Sequence, residues 1–352
     1  MKKLWKHWKR KNGKKTWRKK IWKKSSFILI FSFLFLFLFF SISLIPRNPN
    51  KEEKVEFYLP KGSSALEVGH LLKEKGLISS QFTFWIWCKV LGVEGKLKFG
   101  YYELSPHLNI LQILNKLSQG DTLRIKITIP EGLNLEEISY ILASKLNISK
   151  EKFIYLSKNP KKMNKIEKYF PENLPSSLEG YLFPETYYFP KEIGEEDIIL
   201  TMIDTFFKKI NYEIPNWKEE LKKKSLSLND WVILASIVEK EGKLEEERPL
   251  IAGVFINRLK KGYKLQSCAT VEYIFNFKKP TLTYEDLKVD SPYNTYIYSG
   301  LPPTPISSPS LSSLKAVLYP QGDYLFFVSK GDGSHYFTKN YDEHLKVQKE
   351  KR

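Results

Sequence analysis

The chain has 352 residues, with 57 Lys/Arg against 39 Asp/Glu for a net charge of +18. Fifteen of those bases and no acid fall in residues 1–51, leaving 42 bases against 39 acids beyond them; the excess therefore belongs to a tail, and the remainder carries no nucleic-acid footprint. Two cysteines, Cys88 and Cys268, are too few for a disulfide framework, and no His or Cys pair has metal-ligand spacing. Both cysteines read as buried small hydrophobes.

The first 24 residues hold 13 Lys/Arg and run into an apolar stretch from Phe27 to Ile45 broken only by serines. A bilayer core needs about 20 apolar residues in a helix, so residues 26–45 are expected to span a membrane once. Residues 1–25 form a basic cytoplasmic tail by the positive-inside rule. Its tryptophans, Trp5, Trp8, Trp17 and Trp22, suit an anionic inner leaflet. Residues 46–54 read as a polar linker. Everything after it is expected outside the cytoplasm.

A small α+β module is expected over 55–130. Val55–Leu59 alternates as a strand, Ser64 caps a helix ending at Gly76, and a second helix covers 81–91. A strand over 96–104 and a helix over 110–117, closed by Gly120, complete it. Leu123 to Ile129 alternates again before Pro130-Glu131-Gly132 turns into a helix with Ile138, Leu142 and Leu146 inward. Residues 150–175, rich in Lys, Asn and Pro, read as a surface excursion. The second, larger α+β domain, 131–352, carries the aromatic segment Leu178–Tyr187, whose acids Glu179 and Glu185 would suit a sugar groove. It ends in a hairpin pairing Tyr324–Val328 with His335–Phe337.

The informative helix starts from an Asn229/Asp230 cap and ends at Gly242. Apolar residues at Trp231, Leu234, Ile237 and Val238 define a buried stripe. At about 100° per residue, Glu241 lies roughly 40° from Ile237 and so continues that stripe, whereas Glu239 lies about 160° away on the opposite side. A carboxylate at an apolar position is costly unless paired or protonated. The negative end of the helix dipole also disfavours its ionisation. Both effects raise its pKa, the condition for a carboxylic acid that donates a proton near neutral pH. Glu241 is thus the candidate general acid. No phosphate loop, Rossmann fingerprint or nucleophile elbow occurs, so no cofactor is expected, and no metal.

Seven segments in order, Glu179–Tyr187, Ala235–Glu241, Val254–Leu259, Leu265-Gln-Ser267, Tyr293-Asn-Thr-Tyr296, Gly300-Leu-Pro-Pro303 and Ser313–Ala316, resemble the endolytic murein transglycosylases of the YceG-like family. The resemblance covers nearly everything after the apolar run. It implies a LysM-like peptidoglycan-binding subdomain over 55–130 and a catalytic domain over 131–352. It also places the catalytic glutamate at the second acid of Glu-Lys-Glu, which is Glu241. The implied reaction is a lyase cleavage of the MurNAc-β-1,4-GlcNAc bond of nascent strands to 1,6-anhydro ends, on a bacterial inner membrane and close to the peptidoglycan synthases. Glu179, Gln266, Tyr293, Asn294 and Thr295 are the expected substrate contacts. Where the family often has Asp-Pro after Gln-Ser/Thr, this chain has Cys268-Ala269. Two other readings stay open: a hydrolytic muramidase with Glu179 or Glu185 as second acid, and a non-catalytic peptidoglycan-binding scaffold.

Overall fold

The computed structural model describes residues 30–350 except Leu36 and Pro280. The expected basic tail, and residues 26–29 of the expected span, lie outside the described residues. Residues 30–35 and 37–43 are helical, and among the described residues no helix is long and apolar enough to cross a membrane. The fold is mixed α+β, in two compact units, 1–123 and 124–352.

In the first unit β1 (Val55–Leu59) leads to α1 (Ala65–Glu74) and α2 (Gln81–Leu91), then to β2 (Gly100–Leu104) and α3 (Ile110–Gln119). β1 and β2 pair antiparallel, Phe57 opposite Tyr102. Local chemistry sets the helix ends. Ser64 and Glu67 form a capping box at α1 and Asn109 and Gln112 another at α3, each satisfying two backbone donors that the first turn leaves free. Phe57, Val68, Leu72, Phe84, Tyr102 and Ile113 fill the core. The expected linker is more than a tether, since Arg47 Nη1 donates to the carbonyls of Lys73 (3.3 Å) and Ile78 (3.1 Å).

The second unit begins with β3 (Arg124–Thr128), followed by α4 (Leu135–Lys145) and α5 (Lys150–Lys158). β4 (Thr186–Pro190) returns to pair antiparallel with β3, Ile127 opposite Tyr187. That pairing draws the 124–128 strand into the second unit, so the division falls at Leu123/Arg124 rather than after residue 130. Residues 150–175 are not a surface excursion either: Phe153, Met163, Ile166 and Phe170 are core residues, and the Lys and Asn side chains sit mostly at exposed positions of α5 and of the turns that follow it.

The rest is mostly helical: α6 (Glu195–Glu213), α7 (Trp217–Lys224), α8 (Leu228–Glu241), α9 (Arg248–Lys260), α10 (Cys268–Ile274) and α11 (Leu311–Leu318). The expected hairpin follows as β5 (Phe326–Ser329) and β6 (His335–Thr338), with Phe327 opposite Phe337, and α12 (Tyr341–Glu350) closes the described chain. α8 is the centre of this unit. Every residue from Trp231 to Val238 is buried, so the helix has no solvent face along that stretch. The cap is Ser227, with Asp230 as its N3 partner, two residues before the expected Asn229. Trp231 stacks on Trp217 with ring centroids 5.6 Å apart and donates its indole N–H to the Leu314 carbonyl at 2.8 Å.

The loops of the sequence motifs close over α8. Ser236 Oγ accepts from Ile306 N at 3.0 Å, and its carbonyl accepts from Ser307 Oγ at 3.2 Å. Gly132 N donates to the Ser308 carbonyl, while Lys240 Nζ reaches the Gly132 carbonyl. Gly180 is required by its surroundings: its φ of +81° lies in the left-handed region, and a Cβ there would meet Pro305 Cβ at 2.5 Å and Val232 Cγ1 at 2.9 Å. Gly180→Ala combines overpacking with backbone strain. It should destabilise the protein by about 1–3 kcal/mol, read as a lower denaturation midpoint in urea; an unchanged midpoint would show that this approach is looser than described.

Candidate active site

The two acids of Glu239-Lys240-Glu241 meet different surroundings. Glu239 does not face solvent, as a single-stripe helical wheel would have it. Its carboxylate accepts from Ser310 N (2.9 Å), Ser310 Oγ (2.5 Å), Ser313 Oγ (2.7 Å) and Arg248 Nη2 (3.2 Å). Arg248 also donates from Nε to the Gly242 carbonyl and from Nη1 to Ser310 Oγ. The pair is almost completely buried, at 7% and 6% side-chain exposure. Removing one partner of such a pair strands a charge in the protein, so Glu239 is tied to the fold and is unavailable for proton transfer.

Glu241, the last residue of α8, is half-buried. Ser267 Oγ donates to its Oε1 at 2.5 Å and Ala269 N at 3.5 Å. Burial pushes its pKa above the usual glutamate value and the negative charge of Glu272 adds to this, while the Ser267 hydroxyl, the Ala269 N–H and the charge of His335 pull the other way. Both donors act on Oε1, and Oε2 is the oxygen left for proton exchange with a ligand. A carboxyl balanced in this way is drawn toward its protonated form by burial and keeps donors for the charge it carries after giving the proton up.

The loop that delivers Ser267 is itself fixed from behind. Gln266 N donates to the Thr295 carbonyl (3.1 Å) and Ser267 N to Thr295 Oγ1 (3.0 Å). Thr270 Oγ1 donates to the Ser267 carbonyl and lies 2.9 Å from Thr295 Oγ1. Gln266 holds φ at +49°, an unfavourable conformation for a residue with a side chain and one that a surrounding framework must impose. Its side chain is exposed beside Ser267.

Among the five expected substrate contacts, only Gln266 is exposed. Tyr293 is half-buried, its hydroxyl 2.7 Å from Thr304 Oγ1 and its ring 4.9 Å from that of Tyr273. Asn294 is fully buried, donating to the Leu287 and Val289 carbonyls and accepting from Tyr296 N. Thr295, 2% exposed, serves the Ser267 loop. Glu179 is also 2% exposed; it accepts from Leu135 N at 3.0 Å and Tyr273 hydroxyl at 3.0 Å. Those three side chains are committed to protein partners as placed, because each closes a backbone group that would otherwise be buried without a partner. The aromatics of the 178–187 segment, Tyr181, Phe183 and Tyr187, are core residues rather than an open sugar platform. Glu185 pairs with Lys209 at 2.7 Å.

α10 links these pieces: its first turn contacts Glu241 through Ala269, and its last turn contacts Glu179 through Tyr273. Cys268, at its start, is exposed rather than buried, with Sγ 3.1 Å from the Tyr296 hydroxyl; Cys88 is buried, and both are free thiols. Ser267, Tyr296 and Glu272 escaped sequence reasoning as site residues. Ser267 and Tyr296 lay inside the matched motifs, whereas nothing in the sequence marked Glu272.

These features, with the seven motifs converging on α8, define a class that comparison with known proteins identifies. The chain belongs to the YceG-like family, whose model matches residues 57–350. It is 36% identical over 317 residues to the endolytic murein transglycosylase of Bacillus subtilis (strain 168), covering 87% of each chain. It is 31% identical over 330 residues to the endolytic murein transglycosylase of Streptococcus pneumoniae serotype 2 (strain D39), covering 86% of this chain and 59% of that one. The 2.6 Å crystal structure of a YceG-like protein from Listeria monocytogenes superposes with a TM-score of 0.57 at 36% identity, covering 84% of this chain and 99% of that one.

Burial pushes the Glu179 carboxyl up to about 8 against the Leu135 N–H and Tyr273 hydroxyl. The folded state then keeps this proton over a range where the unfolded chain has lost it, so its contribution to stability is full below about pH 4.3 and declines as pH rises toward 8. Glu179→Gln should flatten that part of the stability–pH curve measured by chemical denaturation. An identical slope in the variant would mean that Glu179 is ionised in the folded protein.

Proposed function

We infer that this protein is an endolytic murein transglycosylase, a lyase that cleaves peptidoglycan glycan strands between N-acetylmuramic acid and N-acetylglucosamine. The observation that carries the mechanism is the desolvated Glu241, with both donors on one carboxylate oxygen and the other motif acids Glu179, Glu185 and Glu239 engaged elsewhere. Glu241 protonates the glycosidic oxygen, and the bond from that oxygen to C1 of the muramyl residue breaks. The resulting carboxylate then takes the proton of the muramyl 6-hydroxyl as that oxygen bonds to C1. The product end is a 1,6-anhydro sugar, no water enters, and Glu241 returns to its protonated form.

A glycosidase usually needs a second carboxylate as base or nucleophile. Here the substrate's own hydroxyl is the acceptor and its acetamido group is suited to stabilising the positive C1, which removes that need. Ser267 and Ala269 hold the Glu241 carboxyl in place and favour its charged form between the two steps. Gln266 and Tyr293 are the side chains we assign to the glycan, while Glu179, Asn294 and Thr295 act through the loops they hold.

The apolar run over 26–45 is best read as a single membrane span, with the basic tail in the cytoplasm and both units outside. Its length and flanking charge support this. The β-α-α-β order of the first unit supports a LysM-like module that holds peptidoglycan. Cutting nascent strands beside the membrane would set strand length near the synthases.

Purified peptidoglycan digested with the full chain in detergent should release internal fragments ending in 1,6-anhydro-muramyl residues, resolved by mass spectrometry. Glu241→Gln should lower that release by about two orders of magnitude or more. Reducing ends in place of anhydro ends would point to a hydrolase with Glu272 as second acid, and unimpaired cutting by Glu241→Gln would remove Glu241 from the mechanism.

A further inference from the structure

α2, with the sequence QFTFWIWCKVL, is apolar around nearly its whole circumference, yet Phe84 and Cys88 alone in it are fully buried, with Trp85 and Trp87 packed part-buried against the core. A helix of that kind is normally buried on all sides. Instead Phe82 is 61% and Val90 58% exposed, with Leu91 exposed beyond them. At about 100° per residue, Phe82, Ile86 and Val90 share an arc of roughly 80°. Trp85 and Lys89 flank it, with the Lys89 ammonium 4.4 Å from the centroid of the Trp85 ring. Lys89 carries the helix's only charge.

What lies beside this face is the end of the apolar N-terminal helix. Trp87 Nε1 donates to Ser43 Oγ at 2.9 Å, and the Trp87 ring meets Phe40 edge-on at 5.1 Å. The turn that follows is clamped to the module by Arg47 through the Lys73 and Ile78 carbonyls, and Asn48 N donates to the Pro106 carbonyl. An apolar cleft of about 450 Å³ opens between the two, walled by Leu38, Ile42, Leu77, Ile78 and Leu108. The module is therefore fastened to the helix end, and its uncovered apolar surface lies beside the exposed apolar side chains of residues 37–43.

We propose that α2 is an interfacial membrane helix, seated in the outer leaflet with Phe82, Ile86 and Val90 toward the acyl chains and Trp85, Trp87 and Lys89 at headgroup level. This rests on the reading that residues 26–45 span the bilayer. Indoles prefer the headgroup layer, a lysine can lay its stem on apolar surface while its ammonium reaches phosphate, and an apolar helix face binds an interface in proportion to the area it buries. A soluble partner would have to cover a face that begins at the anchor itself, where lipid is already present.

The test uses the full chain in liposomes, with Cys268→Ser leaving buried Cys88 as the only native thiol. A nitrobenzoxadiazole label is placed by Phe82→Cys, by Val90→Cys as an independent second site, or by Ile45→Cys to report on the anchor. Phospholipids carrying a spin label near the headgroup serve as quencher. The proposal expects emission from positions 82 and 90 to be quenched to an extent comparable with position 45. Quenching at 45 alone would overturn the docking of α2 and leave the anchor standing; quenching nowhere would remove the anchor and the proposal with it. Blue-shifted but unquenched emission at 82 and 90 would mean that a second copy of the chain covers the face, which also overturns it.

Discussion

The contrast between Glu239 and Glu241 is the constraint around which the catalytic unit is arranged. Both sit at the end of a helix that the core surrounds, where an ionised carboxylate is stable only with partners. Glu239 has Arg248 and three donors from Ser310 and Ser313. Arg248 also binds the Gly242 carbonyl, so the same ion pair fixes the backbone immediately after Glu241. Glu241 receives, among the described residues, Ser267 and Ala269 on a single oxygen. One acid is thereby committed to holding the helix end, and the other is left with a raised pKa and a free oxygen.

Such a site depends on the Ser267 loop more than on any second acid. Thr295 and Thr270 grip that loop from the protein side, and the left-handed backbone at Gln266 shows that it is held against its own preference. Asn294 in turn organises the segment that carries Thr295. The result is a layered arrangement in which buried polar groups satisfy one another and pass positional precision outward to one hydroxyl. Where the resemblance leads to an expected Asp-Pro, Cys268-Ala269 gives Glu241 a backbone N–H from residue 269, which a proline there could not supply.

Much of this was legible in the sequence. Capping residues and apolar spacing locate the elements of the first unit to within a few residues, and the buried stripe of α8 singles out Glu241 independently of any resemblance. What misled was exposure. A helical wheel with one buried stripe assumes one wet face, but α8 is enclosed from Trp231 to Val238, so the side opposite the stripe, where the wheel puts Glu239, is not solvent, and its pairing with Arg248, nine residues on, is not visible from the spacing. Lys-rich residues 150–175 looked like a surface loop because charged ends conceal a period of buried Phe and Met side chains. Motif residues such as Glu179, Asn294 and Thr295 were polar and grouped, and polarity alone does not distinguish a ligand to sugar from a ligand to a buried backbone amide. The boundary at Leu123 depends on the pairing of β3 with β4, a contact between Ile127 and Tyr187, far apart in the chain, that no local pattern announces.

The central claim, that burial outweighs the Ser267 and Ala269 donors and keeps Glu241 protonated above the ordinary glutamate range, is tested most directly by titrating its carboxyl carbon. In ¹³C-glutamate-labelled protein the Glu241 resonance would be assigned by its loss in Glu241→Gln and followed with pH by NMR. The account predicts a midpoint clearly above about 4.3, moving higher still in Ser267→Ala because the donor that favours the charged form is gone. A midpoint at or below the ordinary value, or one that falls in Ser267→Ala, would contradict it.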